Sequence, residues 1–314
     1  MERKIGRKIF TRSIAAATAF ALLFGAGRGL AAPISTPSPT AASGSATLAW
    51  LDRVNHCRDA VGLSAIHEDP ATTADVAAHV HYLLANFADQ ISAGALFGTS
   101  AFEETPSHRG FTPAGAKIAP NSWVAWGCGD IDTVEIVNRW VVGPFHRVSV
   151  LDPAMNQAGY SEGDDVGCWV AAMHLQPPHD RVGPYPHPVE FPPDGANVRL
   201  SWIDGESPDP LTSCAGYSAP AGLPISIQLG RLVRTNVSAA ILTEDGKTVE
   251  NCFFDARSYI NPNSSAQEYG RWALHNSGAI VMIPRAPLKP GSHYAVSITD
   301  GGKTYAWSFT AIAP

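Results

Sequence analysis

The sequence has no Lys/Arg-rich stretch beyond its N-terminal segment, no C-x-x-C pair and no apolar run of the length that crosses a bilayer. The first absence makes nucleic acid and anionic membranes poor partners, all the more because the formal charge of −6 already includes the basic N-terminus. The second disfavours a structural zinc site or a redox dithiol. The third excludes a permanent membrane span, since the longest apolar run, residues 14–24, falls short of the roughly 20 residues required.

What the N-terminus does hold is Arg3, Lys4, Arg7, Lys8 and Arg12, then that apolar run, then the small-residue exit Leu30-Ala31-Ala32. This is the order of a secretory signal peptide, so residues 1–32 are set apart from the fold and the mature chain is expected to begin at Ala32 or Pro33, secreted and extracellular. Residues 33–46, mostly Pro, Ser, Thr and Ala, have no periodicity and read as a disordered leader. About 280 residues remain, enough for two domains with a core each.

Five cysteines in an exported chain point to disulfides, with one thiol left over. Cys214 and Cys252 lie alone in the C-terminal half, and a bridge between them is worth on the order of 3–4 kcal/mol. Cys128 and Cys168 form the second expected pair. Cys57 is then a buried thiol on the apolar stripe of the first helix, with Trp50, Val54 and Val61.

A second helix is signalled by Asp69 as cap, Pro70 at the first position and an Ala/Val/Leu run to Asn86. A third starts from a cap within 130–132, carries Ile131, Val134, Val137 and Val141, and stops at Gly143-Pro144. Strand-like runs at 122–126 and 168–175 place these helices on a small sheet. Residues 177–193 hold seven prolines, too many for a helix or a central strand, and mark an inter-domain linker over 177–196. Beyond it the period is that of strands, at 198–203, 224–229, around Asp245-Gly246, at 280–283 and around Asp300-Gly301-Gly302. Asp-Gly between β-rich runs is a hairpin signal, and 197–314 fits an immunoglobulin-like sandwich.

Several motifs recur in a fixed order: Leu51-x3-Asn55-x2-Arg58-x3-Gly62-Leu63, Ala77-Ala78-x2-His81, Gly110-Phe111-Thr112-Pro113, Trp140-x4-Phe145-His146-Arg147, and Leu151-Asp152-Pro153 before Gly159. In this set the chain resembles the CAP superfamily of cysteine-rich secretory, antigen-five and pathogenesis-related proteins, and its bacterial members in particular, over residues 47–176. The resemblance implies an α+β protein, a CAP-type α-β-α sandwich followed by the small β-sandwich. It also implies a cleft lined by two histidines and two glutamates that in some members bind a divalent cation.

His146 falls at a cleft histidine of that pattern. Pro120-Asn121-Ser122 replaces the usual Gly-Glu-Asn and lacks its carboxylate, while Phe102-Glu103-Glu104 stands where His-x-Glu is expected and His108 follows six residues after Phe102. The cleft candidates are therefore His146, Glu103, Glu104, His108, Asn121 and Ser122, too few convergent donors for a metal, and no cofactor is expected. Taken without the resemblance, Glu103 and Glu104 read as a solvated pair, and His81, among Ala77, Ala78, Leu84 and Ala85, as a packed core residue. His146 reads equally as a cleft residue or a cap on the third helix, and Arg147 as structural.

Gly159-Tyr160-Ser161-Glu162-Gly163 matches the nucleophile elbow G-x-S-x-G, but the strand before and helix after that the elbow needs are not there. Tyr259, Tyr269 and Trp272 sit in a polar, loop-like stretch; they could stack on sugars, though Trp272 reads first as core. The function expected is an extracellular binding module whose ligand is a protein, a cell-surface glycan or a lipid, with no transmembrane anchor. The rivals are a metal-dependent or serine hydrolase using His146 as base, and a sterol or lipid binder.

Overall fold

The computed structural model describes residues 46–92, 99–130, 132–165, 167–176 and 183–313. The expected signal segment and all but the last residue of the expected leader lie outside these, as does Ile131. The chain is α+β.

In the N-terminal half, α1 (Ala46–Ala60), β1 (His67–Glu68), α2 (Pro70–Ser92), α3 (Pro113–Ile118), β2 (Ser122–Cys128), α4 (Thr133–Val142), α5 (Pro144–Val150), β3 (Gln157–Asp165) and β4 (Cys168–Gln176) surround a sheet of order β1-β3-β4-β2. Alternation along β4 decides which helix covers which face. Val170 and Ala172 pack with Val76, Val80 and Leu83 of α2. Ala171 and Met173 join Trp50 and Val54 of α1 and Ile136, Val137 and Trp140 of α4. Arg58, fully buried, ties α1 to the start of β3 by donating to the carbonyls of Ser64, Val150, Asp152 and Met155. Asp132 caps α4 by accepting from the Val134 and Glu135 amides.

The G-x-S-x-G run lies inside β3, with no turn at Ser161. Its small residues serve the packing of α2 on this strand. A Cβ on Gly159 would sit 2.5 Å from the Thr73 amide nitrogen, and one on Gly163 would meet Leu84 at 3.0 Å.

The C-terminal half is built from β5 (Gly183–Phe191), β6 (Ala196–Val198), β7 (Trp202–Ile203), β8 (Ala221–Gly222), β9 (Ile225–Arg231), β10 (Val237–Glu244), β11 (Lys247–Val249), β12 (Asn251–Asp255), α6 (Ser264–Ser277), β13 (Ala279–Pro284), β14 (His293–Asp300) and β15 (Lys303–Ala311). A five-stranded sheet, β11-β10-β14-β15-β6, and a four-stranded sheet, β12-β13-β9-β5, share one apolar core: Val296, Ile298, Trp307 and Phe309 from the first, Ile225, Ile227, Ile280 and Met282 from the second. Two hairpins close on two-residue turns with both φ positive, Asp245-Gly246 and Gly301-Gly302, the geometry that Asp-Gly and Gly-Gly favour.

Three features depart from the sequence reading. The expected linker is, in its described part, structural: β5 forms an edge of the four-stranded sheet against β9. Its prolines are tolerated because the register breaks between Pro184 and Val189, so Pro186 and Pro188 fall in a bulge that owes the ladder no N–H. α4 stops at Gly143-Pro144 as expected, but Pro144 opens a further helix, α5, that the sequence reading did not contain, at a position where its missing N–H is no loss. And residues 264–277 are a helix, capped by Asn263 and stopped by Gly278 in the left-handed conformation.

The halves are not beads on a string. Phe145 and Val148 of α5 pack with Ala273 and Leu274 of α6 on Ala279, Val281 and Ile283 of β13, so a helix of the first half covers a sheet of the second. The described residues form one compact unit.

Disulfides join Cys128 to Cys168, across β2 and β4, and Cys214 to Cys252. Cys57 is a buried free thiol whose pKa is raised by burial, against the opposing pull of Arg53. No described helix is long and apolar enough to cross a membrane.

Candidate functional site

The site is assembled where α4 hands over to α5. Gly143, which caps both helices, has no side chain to satisfy the amides that open α5. Glu206, in the loop after β7, supplies the missing acceptor. Its Oε2 accepts from the Phe145 amide at 3.2 Å, and its Oε1 accepts from the His146 amide at 2.8 Å and the His146 ring Nδ1 at 2.5 Å. A Cβ at residue 143 would stand 2.4 Å from Glu206 Oε1, so the absence of a side chain there is what admits the carboxylate.

Glu206 occupies the Nδ1 edge of His146, while Nε2 makes no hydrogen bond among the described residues. The histidine side chain keeps 16% of its surface open while Glu206 keeps 2%. Trp123 stands edge-on to the imidazole at 5.0 Å and holds its plane. The result is an oriented imidazole that can accept a hydrogen bond or a proton from outside, with a carboxylate behind it to stabilise the charge.

α6 supplies the neighbouring surface. Gly270 brings this helix down onto Tyr259 and Phe145, and two aromatic side chains of the helix, Tyr269 and Trp272, stay open to solvent. Their rings lie 5.6 Å apart and are 41% and 56% exposed. Burial, and then the Glu206 carboxylate, push the Tyr269 pKa up to about 12.

The six cleft candidates do not converge. Glu104 is shut inside, its Oε1 2.9 Å from His79 Nδ1 and its Oε2 accepting from the Thr112 amide; His79 Nε2 faces the Ala101 carbonyl at 3.0 Å. It pins the 101–112 loop to α2, and so is not the solvated carboxylate the sequence suggested. Glu103 is exposed. His108 is exposed and meets the Tyr82 hydroxyl at 3.1 Å. Asn121 is exposed and its carbonyl faces His174, while Ser122 is buried and donates to the Ile118 carbonyl. Among the described residues no three His, Cys, Asp or Glu side chains are grouped to hold a metal ion.

His81 is exposed, and the buried histidine of α2 is His79, two positions earlier and so on the other side of the helix. His146 is no C-terminal cap; it stands in the first turn of α5. Tyr259 is fully buried, donating to the Asp209 carbonyl, and Trp272 is on the surface rather than in the core. Glu206 is the residue that sequence reasoning missed. It lies 60 positions from its partner, and only Gly143 before Pro144, a helix start without a capping side chain, signals that a cap must come from elsewhere.

The chain matches no protein-family model and no curated protein. Among solved structures it is similar to a cysteine-rich secretory protein from Staphylococcus aureus, with 14% identity over 44% of this chain and 40% of that one and a TM-score of 0.26. An outer surface protein from Borrelia burgdorferi is 12% identical over 44% of this chain and 96% of its own, with a TM-score of 0.27. A chimeric titin Z1Z2 bearing an exogenous decorin peptide is 8% identical over 62% and 83%, with a TM-score of 0.19. The chain thus spans less than half the length of the Staphylococcus protein.

Proposed function

We propose that this chain is an exported binding protein, a CAP-type α-β-α half joined to an immunoglobulin-like sandwich, that recognises a neutral, hydroxyl-rich extracellular ligand such as a glycan. The ordered CAP motifs and the layering of α2, the sheet, and α1 with α4 support the fold reading. The observation that carries the functional one is the exposed Tyr269–Trp272 ring pair on α6, the helix packed against the α5 helix that bears the oriented imidazole. Flat aromatic faces stack on the apolar face of a pyranose, and His146 Nε2 accepts from a hydroxyl. A net charge of −6 favours a neutral ligand over an anionic polymer.

Calorimetric titration of the chain with neutral oligosaccharides, chito-oligosaccharides among them, tests this. Binding should vanish in Tyr269→Ala/Trp272→Ala and weaken in His146→Ala, with circular dichroism unchanged. Equal affinity in the double variant, or no heat with any neutral sugar, would refute it.

The 2.5 Å contact of His146 with Glu206 favours a second reading, hydrolysis with His146 as general base. Turnover of an ester or glycoside that is lost in His146→Ala while the sugar still binds would establish that one instead.

A further inference from the structure

Three fully buried side chains at the junction of the two halves carry polar atoms without a hydrogen-bond partner among the described residues: Arg147 through Nε and Nη2, Ser226 through Oγ, and Gln228 through both Nε2 and Oε1. Buried polar groups are seldom left this way, because each loses its water on folding.

Phe191 links the two elements that carry them. From α5, the Arg147 guanidinium lies 4.3 Å above the Phe191 ring of β5. Phe191 is the register partner of Ser226, and Gln228 follows two residues along β9 on the same face, opposite Val189 and Ala279. That face is the one covered by α5 and α6, since Ala279 and Val281, the β13 partners of Gln228 and Ser226, pack against Phe145 and Val148.

Arg147 is anchored by Nη1, which donates to the carbonyls of Val141 at 3.1 Å and Val142 at 3.3 Å. The opposite edge of the guanidinium, Nε–H and Nη2–H, is a pair of parallel donors held in a fixed direction.

We infer that Arg147, Ser226 and Gln228 form a sealed site for ordered water that bridges α5 to β9, and so joins the two halves of the molecule. The inventory selects the ligand. Arg147 and the Gln228 amide offer donors, Gln228 Oε1 an acceptor, and Ser226 Oγ either. Water serves both kinds, whereas a halide could satisfy only the donors and a cation only the acceptors. Nor does charge demand an anion, because the Glu206 carboxylate already acts on the Arg147 guanidinium.

A crystal structure of the full chain, soaked in bromide and refined at a resolution that shows solvent, decides the matter. The expected result is water within hydrogen-bond distance of Arg147 Nε or Nη2 and of Gln228 or Ser226, with no bromide signal there. A bromide peak on the guanidinium edge would overturn the inference, and so would a direct bond from that edge to Gln228 Oε1 with no solvent density. Independently, Gln228→Met should lower the melting temperature, and Arg147→Met/Ser226→Ala/Gln228→Met should lie above the sum of its single changes. Additive shifts would show that the three side chains share nothing.

Discussion

Glu206 holds the ring of His146 and the first turn of α5 with one carboxylate: Oε1 meets the ring Nδ1 and accepts from the His146 amide, and Oε2 accepts from the Phe145 amide. Orientation of the imidazole and integrity of the helix start thus rest on one side chain.

The first test is therefore a cycle. Gly143→Ala puts a methyl where Glu206 Oε1 now lies, and Glu206→Gln removes the charge from that contact. Each should cost about 1–3 kcal/mol by chemical denaturation. Since both break one interaction, the double variant should cost clearly less than the sum. Additive losses would mean that Glu206 moves aside for a Cβ without releasing α5.

The second concerns β3. Gly159→Ala drives a methyl into the backbone of Thr72 and Thr73, which is not the end of a side chain that can swing away, and should destabilise by about 3 kcal/mol. Ser161→Ala, in the same motif, should stay within about 0.5 kcal/mol and change no activity found in the protein. Loss of an esterase activity in Ser161→Ala would restore the elbow.

The cysteines give a third. Cys128 is exposed and Cys168 half-buried, whereas Cys214 is buried, so mild dithiothreitol should open Cys128–Cys168 first. Cys57, its pKa raised by burial, stays a protonated thiol near neutrality and should resist iodoacetamide until the protein unfolds. Mass spectrometry of alkylated peptides reads both, and early labelling of Cys57 would contradict its burial.

The fourth is a pH dependence. The Asp69 carboxylate, at the start of α2, has its pKa lowered below 3.8, first by the Thr72 hydroxyl and, in smaller measure, by the Thr72 and Ala71 amides and Gln176, against the pull of burial. A depressed folded pKa contributes stability that is present above the unfolded value and lost as pH falls through the folded one. Urea midpoints should drop between about pH 5 and 3, and less steeply in Asp69→Asn, which has no proton to take up. Parallel profiles would remove Asp69 from the acid response.

How much of this was legible follows from the range of each signal. Asp245-Gly246 and Gly301-Gly302 announce hairpins because a turn is decided by the residues in it. The caps Asp132 and Asp69 are local for the same reason. α6 reads from sequence as a polar, loop-like stretch; its ends do carry a cap and a stop, Asn263 and Gly278, but Gly270 in its middle makes sense only once Tyr259 and Phe145 are known to need the space. β5 hides behind its prolines because the bulge that excuses Pro186 and Pro188 exists only against β9. Within the candidate site, His146 is legible from its motif; Glu206 is not, since nothing in the residues around it names a helix start 60 positions away.

The seating of α5 on β13 bears on how such a chain could be rearranged by recombination. An exchange that swapped the C-terminal half for another sandwich would strip Phe145 and Val148 of their floor, and the transplanted sandwich would arrive with one sheet uncovered. A crossover that preserves folding must carry α5, β5 and α6 together, so the two halves are constrained to travel as one inherited piece.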